Sequence, residues 1–262
     1  MKVVLLTSDS LRHKAIAHVL AKQLDLALVI TEKKSPSIAD TASLEKEDAA
    51  FIEQHFLDRK NSEEEYFGEY RDFPSASELL EVKHGQVNSQ KVIEAIEKAE
   101  PDYIILFGTS IIKKNLLNKY TGCIINLHLG LSPYYRGSAT NLFPYYYNEP
   151  ECVGGTIHLA TSDVDKGAIL YQFRPDISRK DSLHDIGNKV ILKGGKILHE
   201  VLKKYDSEKL KPKVQSGSGH LCKNKELSPN IVRQIYKKFE AGLIEDYLAE
   251  KEKRDADRPI IG

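Results

Sequence analysis

Three side chains that suit acyl-group chemistry close or follow two apolar segments of this 262-residue chain. Asn126 and His128 end one strand-like segment, and Asp165 lies just after another. Alternate residues of an extended strand point to the same side, so the amide and the imidazole can face one polar centre. An asparagine amide and a protonated histidine both donate hydrogen bonds to a developing oxyanion, and a nearby carboxylate orients the imidazole. If the three groups meet, they form a centre for acyl transfer.

Each of these residues also has a purely structural interpretation. A single histidine at a strand end is commonly a hydrogen-bonded structural residue, and an aspartate before Lys166-Gly167 commonly forms a turn. The functional hypothesis therefore depends on the combination, and on elements that bring the two segments together.

The patterns of apolar residues predict alternating strands and helices. Residues 3–6 predict a buried strand, Asp9 or Ser10 can cap a helix over 11–23, and residues 26–30 predict a second strand. Strand, helix and strand within about thirty residues indicate the start of a Rossmann-like layer. Later segments continue the alternation, with helices over 92–99, 111–117 and 183–204 and strands over 103–107, 123–128 and 168–173.

The sequence divides into a catalytic domain over residues 1–214 and an appendage over 215–262. Residues 40–75 predict a helical insertion, with eleven acidic and four basic residues between 40 and 72. This segment is either a solvated insertion outside the core sheet or a wall of an acceptor pocket. In the appendage, residues 220–225 predict an edge strand and Pro229 begins an amphipathic helix. Its apolar faces predict a homodimer contact or a cover for the sheet.

Composition excludes several classes of protein. Lys and Arg balance Asp and Glu at 38 each and the pI is about 7.1, so no basic field would gather nucleic acid. Three cysteines without paired spacing predict a reduced, cytoplasmic protein without a structural metal. The first apolar run is too short for a signal peptide or a membrane span.

Five short motifs occur in order and together resemble the folate-dependent formyltransferase family. They are Asn126-Leu-His128, Leu131-Ser-Pro133, Tyr135-Arg136-Gly137, Gly155-Thr-Ile-His158 and Asp163-Val-Asp165-Lys-Gly167. The resemblance covers residues 85–175 well and the first strand loosely. It implies a Rossmann-like core with a mostly parallel sheet flanked by helices, extended here by a short strand and helix appendage. It also implies N10-formyltetrahydrofolate as formyl donor, Asn126, His128 and Asp165 as the catalytic residues, and no metal.

The same resemblance implies where the folate would bind. One side of the pteridine pocket would be formed by Ser110, Ile111 and Ile112, which follow the strand over 103–107. For the two isoleucines, ordinary core packing is the alternative interpretation. The opposite side would be formed by the loop that contains Ala160, Thr161 and Asp163.

The sequence departs from the family pattern at two places that concern the acceptor. The family's usual Asn-x-His-Pro-Ser is here Asn126-Leu-His128-Leu-Gly130, so the loop geometry is expected to differ. The loop over residues 7–13 has no glycine, whereas glycinamide ribonucleotide enzymes have a glycine-rich phosphate loop there. The tail from residue 215 has nine basic and eight acidic residues, which makes it a poor partner for tRNA.

These departures favour the sugar N-formyltransferase branch, with a nucleotide-linked amino sugar as acceptor. The specific hypothesis is dTDP-4-amino-4,6-dideoxyglucose, formylated for a surface polysaccharide such as O-antigen. Methionyl-tRNA or another small amine is the alternative acceptor, and a catalytically silent folate- or nucleotide-binding module is the non-enzymatic alternative. Candidate contacts to the acceptor are Arg12, His13, Tyr135, Arg136 and Tyr146, the last within an aromatic cluster completed by Tyr134, Phe143, Tyr145 and Tyr147.

Overall fold

A seven-stranded, mostly parallel sheet forms the centre of the computed structural model, which describes residues 1–33 and 41–262. Its strand order is β3-β2-β1-β4-β5-β7-β8, where β7 and β8 are antiparallel to their neighbours. The strands are β1 Lys2–Thr7, β2 Asp25–Glu32, β3 Glu78–Val82, β4 Tyr103–Leu106, β5 Ile124–His128, β6 Tyr135–Gly137, β7 Gly155–Leu159, β8 Ile169–Phe173 and β9 His220–Cys222. This architecture confirms the predicted α/β fold.

Helices cover both faces of the sheet. They are α1 Leu11–Ala21, α2 Lys46–Phe67, α3 Gln90–Ala99, α4 Lys114–Lys119, α5 Phe143–Tyr146, α6 Leu183–Asp206, α7 Pro229–Glu240, α8 Leu243–Ala249 and α9 Lys251–Asp257. Among the described residues, none of these helices is long and apolar enough to cross a membrane.

Alternate residues of each central strand belong to two separate cores. In β1, Val3 and Leu5 pack in the cluster that includes α1 and α6, whereas Val4 and Leu6 pack in the cluster that includes α3 and α4. All four side chains are fully buried. A strand that is buried on both faces reads as a continuous apolar run, and this explains why β1, β2 and β4 are evident in the sequence.

Three elements differ from the sequence-based expectations. The edge strand β3 was not predicted, because its sequence ELLEV mixes charged and apolar residues and most of its side chains are exposed. The short helix predicted over 111–117 begins only at Lys114, and residues 111–113 form an irregular loop. The predicted strand over 220–225 is shorter, His220–Cys222, and pairs in parallel with β6 in a separate two-stranded sheet.

The acidic segment forms one long helix that packs against the core. α2 contacts α1, α6 and α7, and its buried residues include His55 and Phe67. The interpretation as a solvated insertion is therefore wrong for the inner face of this helix, since that face is shared with three other helices. The acidic side chains of the first turn, Glu47 and Asp48, face Arg233 of α7.

The appendage also packs against the catalytic domain. Ile235 of α7 and Leu243 and Ile244 of α8 lie in the same buried cluster as β1 and α6. Near the end of the chain, the Ile261 amide and carbonyl bond to Gln172 on the outer strand β8. The appendage thus packs against the core and the outer strand of the sheet; its role, the domain boundary and the homodimer stay predictions.

Two histidines, the buried His55 and the half-buried His184, join the helices of the acidic segment, the core and the appendage. The Tyr236 hydroxyl lies 3.2 Å from His55 Nδ1 and 3.2 Å from His184 Nε2, so one tyrosine links α2 and α6 to α7. Burial lowers the pKa of His55 to about 4, with the nearby Arg59 cation adding to the effect. Burial, His55 and Arg59 lower the pKa of His184 to about 3.

This cluster predicts that acid destabilises the protein. Both histidines stay neutral in the folded chain down to about pH 4, whereas in the unfolded chain they take up protons near their ordinary pKa of 6.5. We expect the free energy of unfolding to fall by about 1 to 2 kcal/mol per histidine between about pH 7.5 and about pH 5.

Urea unfolding across this range measures the effect. Replacing both residues, His55→Gln with His184→Gln, should flatten the pH dependence, while replacement of the exposed His84 by Gln should leave it unchanged. An equally steep dependence in the double variant would contradict the assignment.

Candidate active site

Asn126, His128 and Asp165 meet at the end of β5. The Asn126 Nδ2 donates to Asp165 Oδ1 at 3.0 Å, and His128 Nδ1 lies 3.4 Å from Asp165 Oδ2. The backbone N–H of Gly137, at the end of β6, donates to the same Oδ2 at 2.9 Å. One carboxylate therefore contacts three chain segments, and the convergence that the sequence left open is present in the structure.

The charges at this centre follow from burial and from neighbouring groups. Burial alone would raise the pKa of Asp165, but His128, His158 and the Gly137 N–H hold it well below its usual range. Burial lowers the pKa of His128, and His158 adds to this effect, while Asp165 and the Tyr135 carbonyl oppose it. Asp165 is thus ionised at neutral pH.

The hydrogen-bond geometry of His128 favours the protonated ring. Its Nε2 donates to the Tyr135 carbonyl oxygen at 3.2 Å, and its Nδ1 faces the Asp165 carboxylate. Both ring nitrogens therefore face acceptors, and only an imidazolium can donate at both. Burial thus disfavours the charged form of the ring, whereas the two hydrogen-bond acceptors favour it.

His158 of β7 is a fourth member of the site that was not among the candidate residues. Its Nε2 lies 3.0 Å from Asn126 Nδ2 and 3.4 Å from Asp165 Oδ1, and its Nδ1 lies 2.8 Å from the Leu159 carbonyl oxygen. His158 is the direct partner of Asn126 in the antiparallel β5–β7 ladder. The sequence motif contained this histidine, but the register that places it beside Asn126 is not visible from one sequence.

Gly130 gives a physical reason for the departure from the family's Asn-x-His-Pro-Ser pattern. A Cβ at position 130 would lie 2.5 Å from His128 Nε2 and 2.8 Å from the Thr140 Cβ. No side chain fits there while His128 keeps its bond to the Tyr135 carbonyl. Position 130 must therefore be glycine for this placement of the ring.

The two predicted sides of the folate pocket border one cavity of about 430 Å³. Ile111 and Ile112 line it from one side and Ser162 from the other. Ile111 is 67% exposed, whereas Ile112 is buried in the core, so the two isoleucines differ in what they offer a ligand. The cavity does not include the polar centre, since Asn126, His128 and Asp165 do not line it.

The other candidate folate residues are placed around this cavity without lining it. The Ser110 amide donates to the carboxylate of Glu32 at 3.1 Å, and the Thr161 hydroxyl donates to the Asp163 carbonyl at 3.1 Å. Asp163 faces Lys166, and Ala160 packs against the core on the α3 side of the sheet. Their roles in folate binding stay predictions.

Glu32 is a further residue that sequence analysis missed. It is 3% exposed at the end of β2, and its carboxylate accepts bonds from the amides of Val87 and Ser110. It therefore ties together the loop before α3 and the loop after β4. The sequence does show a glutamate at the end of an apolar strand, which is unusual. Its partners, the amides of Val87 and Ser110, are far away in sequence, so its role could not be predicted.

Arg12 and His13 are both engaged within the protein. The Arg12 guanidinium bonds to Glu63 of α2, and burial lowers its pKa to about 10. His13 is 1% exposed, with its Nδ1 2.6 Å from the Ser10 hydroxyl and its ring 5.1 Å from that of Phe107. Contact of either residue with an acceptor diphosphate would require these partners to be exchanged, and it stays a prediction.

The aromatic candidates form a stack rather than an open face. Tyr135 is fully buried, and its ring lies 5.1 Å from the stacked ring of His220, which lies 4.6 Å from the ring of Tyr147. Tyr147 is 45% exposed and presents the outer end of the stack. Tyr146 packs beneath Lys238. A contact between the Tyr135 ring and an acceptor stays a prediction, and burial makes this ring inaccessible in the present arrangement.

Arg136 lies next to the polar centre. It is half-buried in β6 between Tyr135 and Gly137, whose backbone groups contact His128 and Asp165. Its Nε is buried and has no hydrogen-bond partner among the described residues. Among the candidate acceptor contacts, Arg136 is thus a cationic residue whose two neighbours in the chain bond to catalytic side chains. Its contact with the acceptor stays a prediction.

A family model described as "Formyl transferase" matches residues 1–202. The chain belongs to the formyl transferase family. The family expected from the five motifs is therefore confirmed, whereas its sugar N-formyltransferase branch is not decided by this match. No group of three metal-binding side chains suited to a metal ion occurs within residues 1–33 and 41–262.

Known members of the family are similar over parts of the chain. A methionyl-tRNA formyltransferase of Finegoldia magna is 25% identical over 120 residues, which make up 45% of this chain and 38% of that protein. The chain thus spans less than half the length of this curated relative. The similarity in sequence therefore covers part of each chain and does not extend to the relative's full length.

Solved structures share the fold at low identity. The phosphoribosylglycinamide formyltransferase of Anaplasma phagocytophilum has a TM-score of 0.57 and 17% identity, covering 84% of this chain and 97% of that one. A formyltransferase of Anoxybacillus kamchatkensis, in complex with UDP-4,6-dideoxy-4-formamido-L-AltNAc and tetrahydrofolate, has a TM-score of 0.52 and 18% identity, covering 86% and 87%. At these identities the likeness shows the fold alone.

The close approach at Gly130 predicts the effect of adding one methyl group. Gly130→Ala should lower the free energy of unfolding by about 1 to 3 kcal/mol, because the His128 ring or Thr140 must move away. Gly187→Ala in α6 is the matched control, since its Cβ would meet only Asn141 at 3.3 Å and alanine favours a helix. Chemical denaturation measures both, and wild-type stability of Gly130→Ala would contradict the crowding.

Proposed function

We propose that this protein transfers a formyl group from N10-formyltetrahydrofolate to the amine of a nucleotide-linked amino sugar. The specific acceptor we propose is dTDP-4-amino-4,6-dideoxyglucose, as a step in making a surface polysaccharide such as O-antigen. The observation that carries the proposal is the convergence of Asn126, His128 and Asp165 in a chain of the formyl transferase family.

The polar centre supplies the groups that formyl transfer requires. An unprotonated acceptor amine attacks the formyl carbon of the donor to form a tetrahedral adduct. The bond between this carbon and N10 then breaks, and tetrahydrofolate leaves with N10 protonated by the proton that the amine gives up. In its protonated form, His128 would donate a hydrogen bond, together with Asn126, to the oxygen that becomes an oxyanion, which is typically worth about 3 kcal/mol per donor. Asp165 is ionised, so it supports the charge on His128 and provides a base for the proton that leaves the amine.

The donors must exchange partners during the reaction. Asn126 Nδ2 has both Asp165 Oδ1 and His158 Nε2 at 3.0 Å, so both of its N–H groups are engaged in this structure. His128 Nε2 is likewise directed at the Tyr135 carbonyl. Binding of the oxyanion therefore replaces internal hydrogen bonds, and the neighbouring acceptors hold the donors in place until then.

The folate would bind in the cavity that the two predicted sides of its pocket border. Ile111 and Ile112 provide apolar walls, and Ser162 belongs to the facing loop, which ends at Asp165. A cavity of about 430 Å³ is within the usual range for small-molecule sites. Ser110, Ala160, Thr161 and Asp163 would act in the same two loops. Ser162, three residues before Asp165, is the lining residue that connects this cavity to the loop of the catalytic carboxylate.

Two features support a sugar acceptor over the alternatives. The loop over residues 7–13 contains no glycine to wrap a phosphate, and the tail has a net charge of only +1, which suits tRNA poorly. The Anoxybacillus protein, whose fold this chain shares, was crystallised with a UDP-linked formamido sugar. Methionyl-tRNA is the second candidate acceptor, because methionyl-tRNA formyltransferases are among the curated relatives.

The cavity walls predict an effect on folate binding alone. Ile111→Asp should weaken binding of 5-formyltetrahydrofolate at least about tenfold, because it replaces an exposed apolar wall of the proposed pteridine pocket with a charge that the bound ring would desolvate. Val214→Asp, at a residue that is 84% exposed outside the cavity, is the matched control. Isothermal titration calorimetry measures both, and equal affinities in the wild type and Ile111→Asp would place the folate elsewhere.

The acceptor is tested with a panel of amines. Purified protein and N10-formyltetrahydrofolate are incubated with dTDP- and UDP-linked amino sugars, methionyl-tRNA and glycinamide ribonucleotide, and formylated products are identified by mass spectrometry. We expect formylation of a nucleotide-linked amino sugar, and a loss of kcat of about a hundredfold or more in Asp165→Asn. Asp25→Asn, at the start of β2, should keep full activity.

Each other outcome of this panel excludes part of the proposal. Formylation of methionyl-tRNA or glycinamide ribonucleotide alone would end the sugar assignment. Folate binding without formyl transfer to any amine would favour the silent binding module. Near-wild-type turnover by Asp165→Asn would remove Asp165 from the mechanism.

A further inference from the structure

The backbone at Asp165 needs support from outside its own loop. Asp165 has a φ of 48°, in the left-handed region that residues with a Cβ rarely adopt. Its carboxylate must nevertheless contact Asn126, His128 and the Gly137 N–H at once. A loop that relaxed toward an ordinary conformation would turn this carboxylate away from its partners.

Gln215 provides that support from the start of the appendage. Its Nε2 donates one hydrogen bond to the Asp165 carbonyl at 2.8 Å and a second to the Gly167 carbonyl at 2.8 Å. The two hydrogens of a single amide thus hold carbonyls two residues apart, which fixes how the intervening peptide groups are turned. The Ser132 hydroxyl adds a longer bond of 3.2 Å to the Asp165 carbonyl.

Gln215 is itself held by backbone pairing. Lys213 exchanges two hydrogen bonds of 2.8 Å with Ile169, the first residue of β8. This pairing fixes the chain two residues before Gln215 against the end of the loop that contains Asp165. The Gln215 Oε1 is buried and has no hydrogen-bond partner among the described residues. The side chain therefore bonds to the protein through its N–H groups alone, and both of these bonds go to carbonyl oxygens of the loop.

The loop has little freedom to compensate for loss of these bonds. A Cβ at Gly167 would lie 1.7 Å from the Leu159 carbonyl oxygen, so this residue is already packed against the end of β7. Gly167 thus anchors one end of the loop, and Gln215 holds the two peptide groups between Asp165 and Gly167.

We propose that Gln215 is a positioning residue that keeps the Asp165 carboxylate aimed at Asn126 and His128. The proposal rests on the proposed function, because the role of Asp165 in formyl transfer belongs to it. Gln215 touches no reacting atom and acts through the conformation of the loop over residues 160–168. The appendage thereby becomes part of the catalytic machinery rather than a cover alone.

Kinetics of three variants test the proposal. Gln215→Leu, which keeps the size but lacks donors, should lower kcat about tenfold to a hundredfold, with KM for folate and acceptor changed less than about threefold. Gln215→Lys, which has donors and no acceptor, should restore most of kcat. Val214→Ala is the matched control, since this neighbouring side chain is exposed. Wild-type kcat in a folded Gln215→Leu protein, or no recovery in Gln215→Lys, would overturn the proposal.

Amide hydrogen exchange without any ligand separates this proposal from the function on which it rests. Loss of two hydrogen bonds should make the peptide over residues 160–168 exchange about fivefold faster or more in Gln215→Leu, with the central strands unchanged. Equal exchange in both proteins would overturn the role of Gln215 even if formyl transfer is confirmed. Faster exchange in a protein that formylates no amine would overturn the proposed function and leave the support of the loop by Gln215 intact.

Discussion

The Asp165 carboxylate is the group around which the site is arranged. It is nearly buried and ionised, and a buried charge is tolerated only when it is paired and hydrogen-bonded. Asn126, His128, His158 and the Gly137 amide supply those partners from β5, β7 and the end of β6. Bringing these partners together requires close packing nearby, as at Gly130, where a Cβ would lie 2.5 Å from His128 Nε2.

Much of the fold could be predicted because buried parallel strands have a simple pattern. β1, β2 and β4 are continuous apolar runs, and the capping box of Ser182 and Asp185 marks the start of α6. The edge strand β3 was missed because an exposed strand carries charges on both faces. Segments whose structure depends on the rest of the chain, such as β9, were predicted only in part, because their pairing partner is far away in sequence.

The candidate site was predictable to a similar degree. The residue types of Asn126, His128 and Asp165 follow from the chemistry, and the motif order supplied the expectation that they meet. His158 and Glu32 were missed because their importance lies in strand register and in loops that converge at the sheet edge. Arg12 and His13 looked available in the sequence, but the fold engages both with internal partners.

The two edges of the large sheet are protected by different means. At β3, the charged side chains of Glu78 and Glu81 are exposed, and such charges discourage pairing with another strand. At β8, Lys213 bonds to Ile169 at one end and Ile261 bonds to Gln172 near the other. Another chain could extend the sheet on this side only by displacing the segment at Lys213, just before the appendage, and the end of the appendage at Ile261. These two segments therefore protect this edge of the sheet against strand addition.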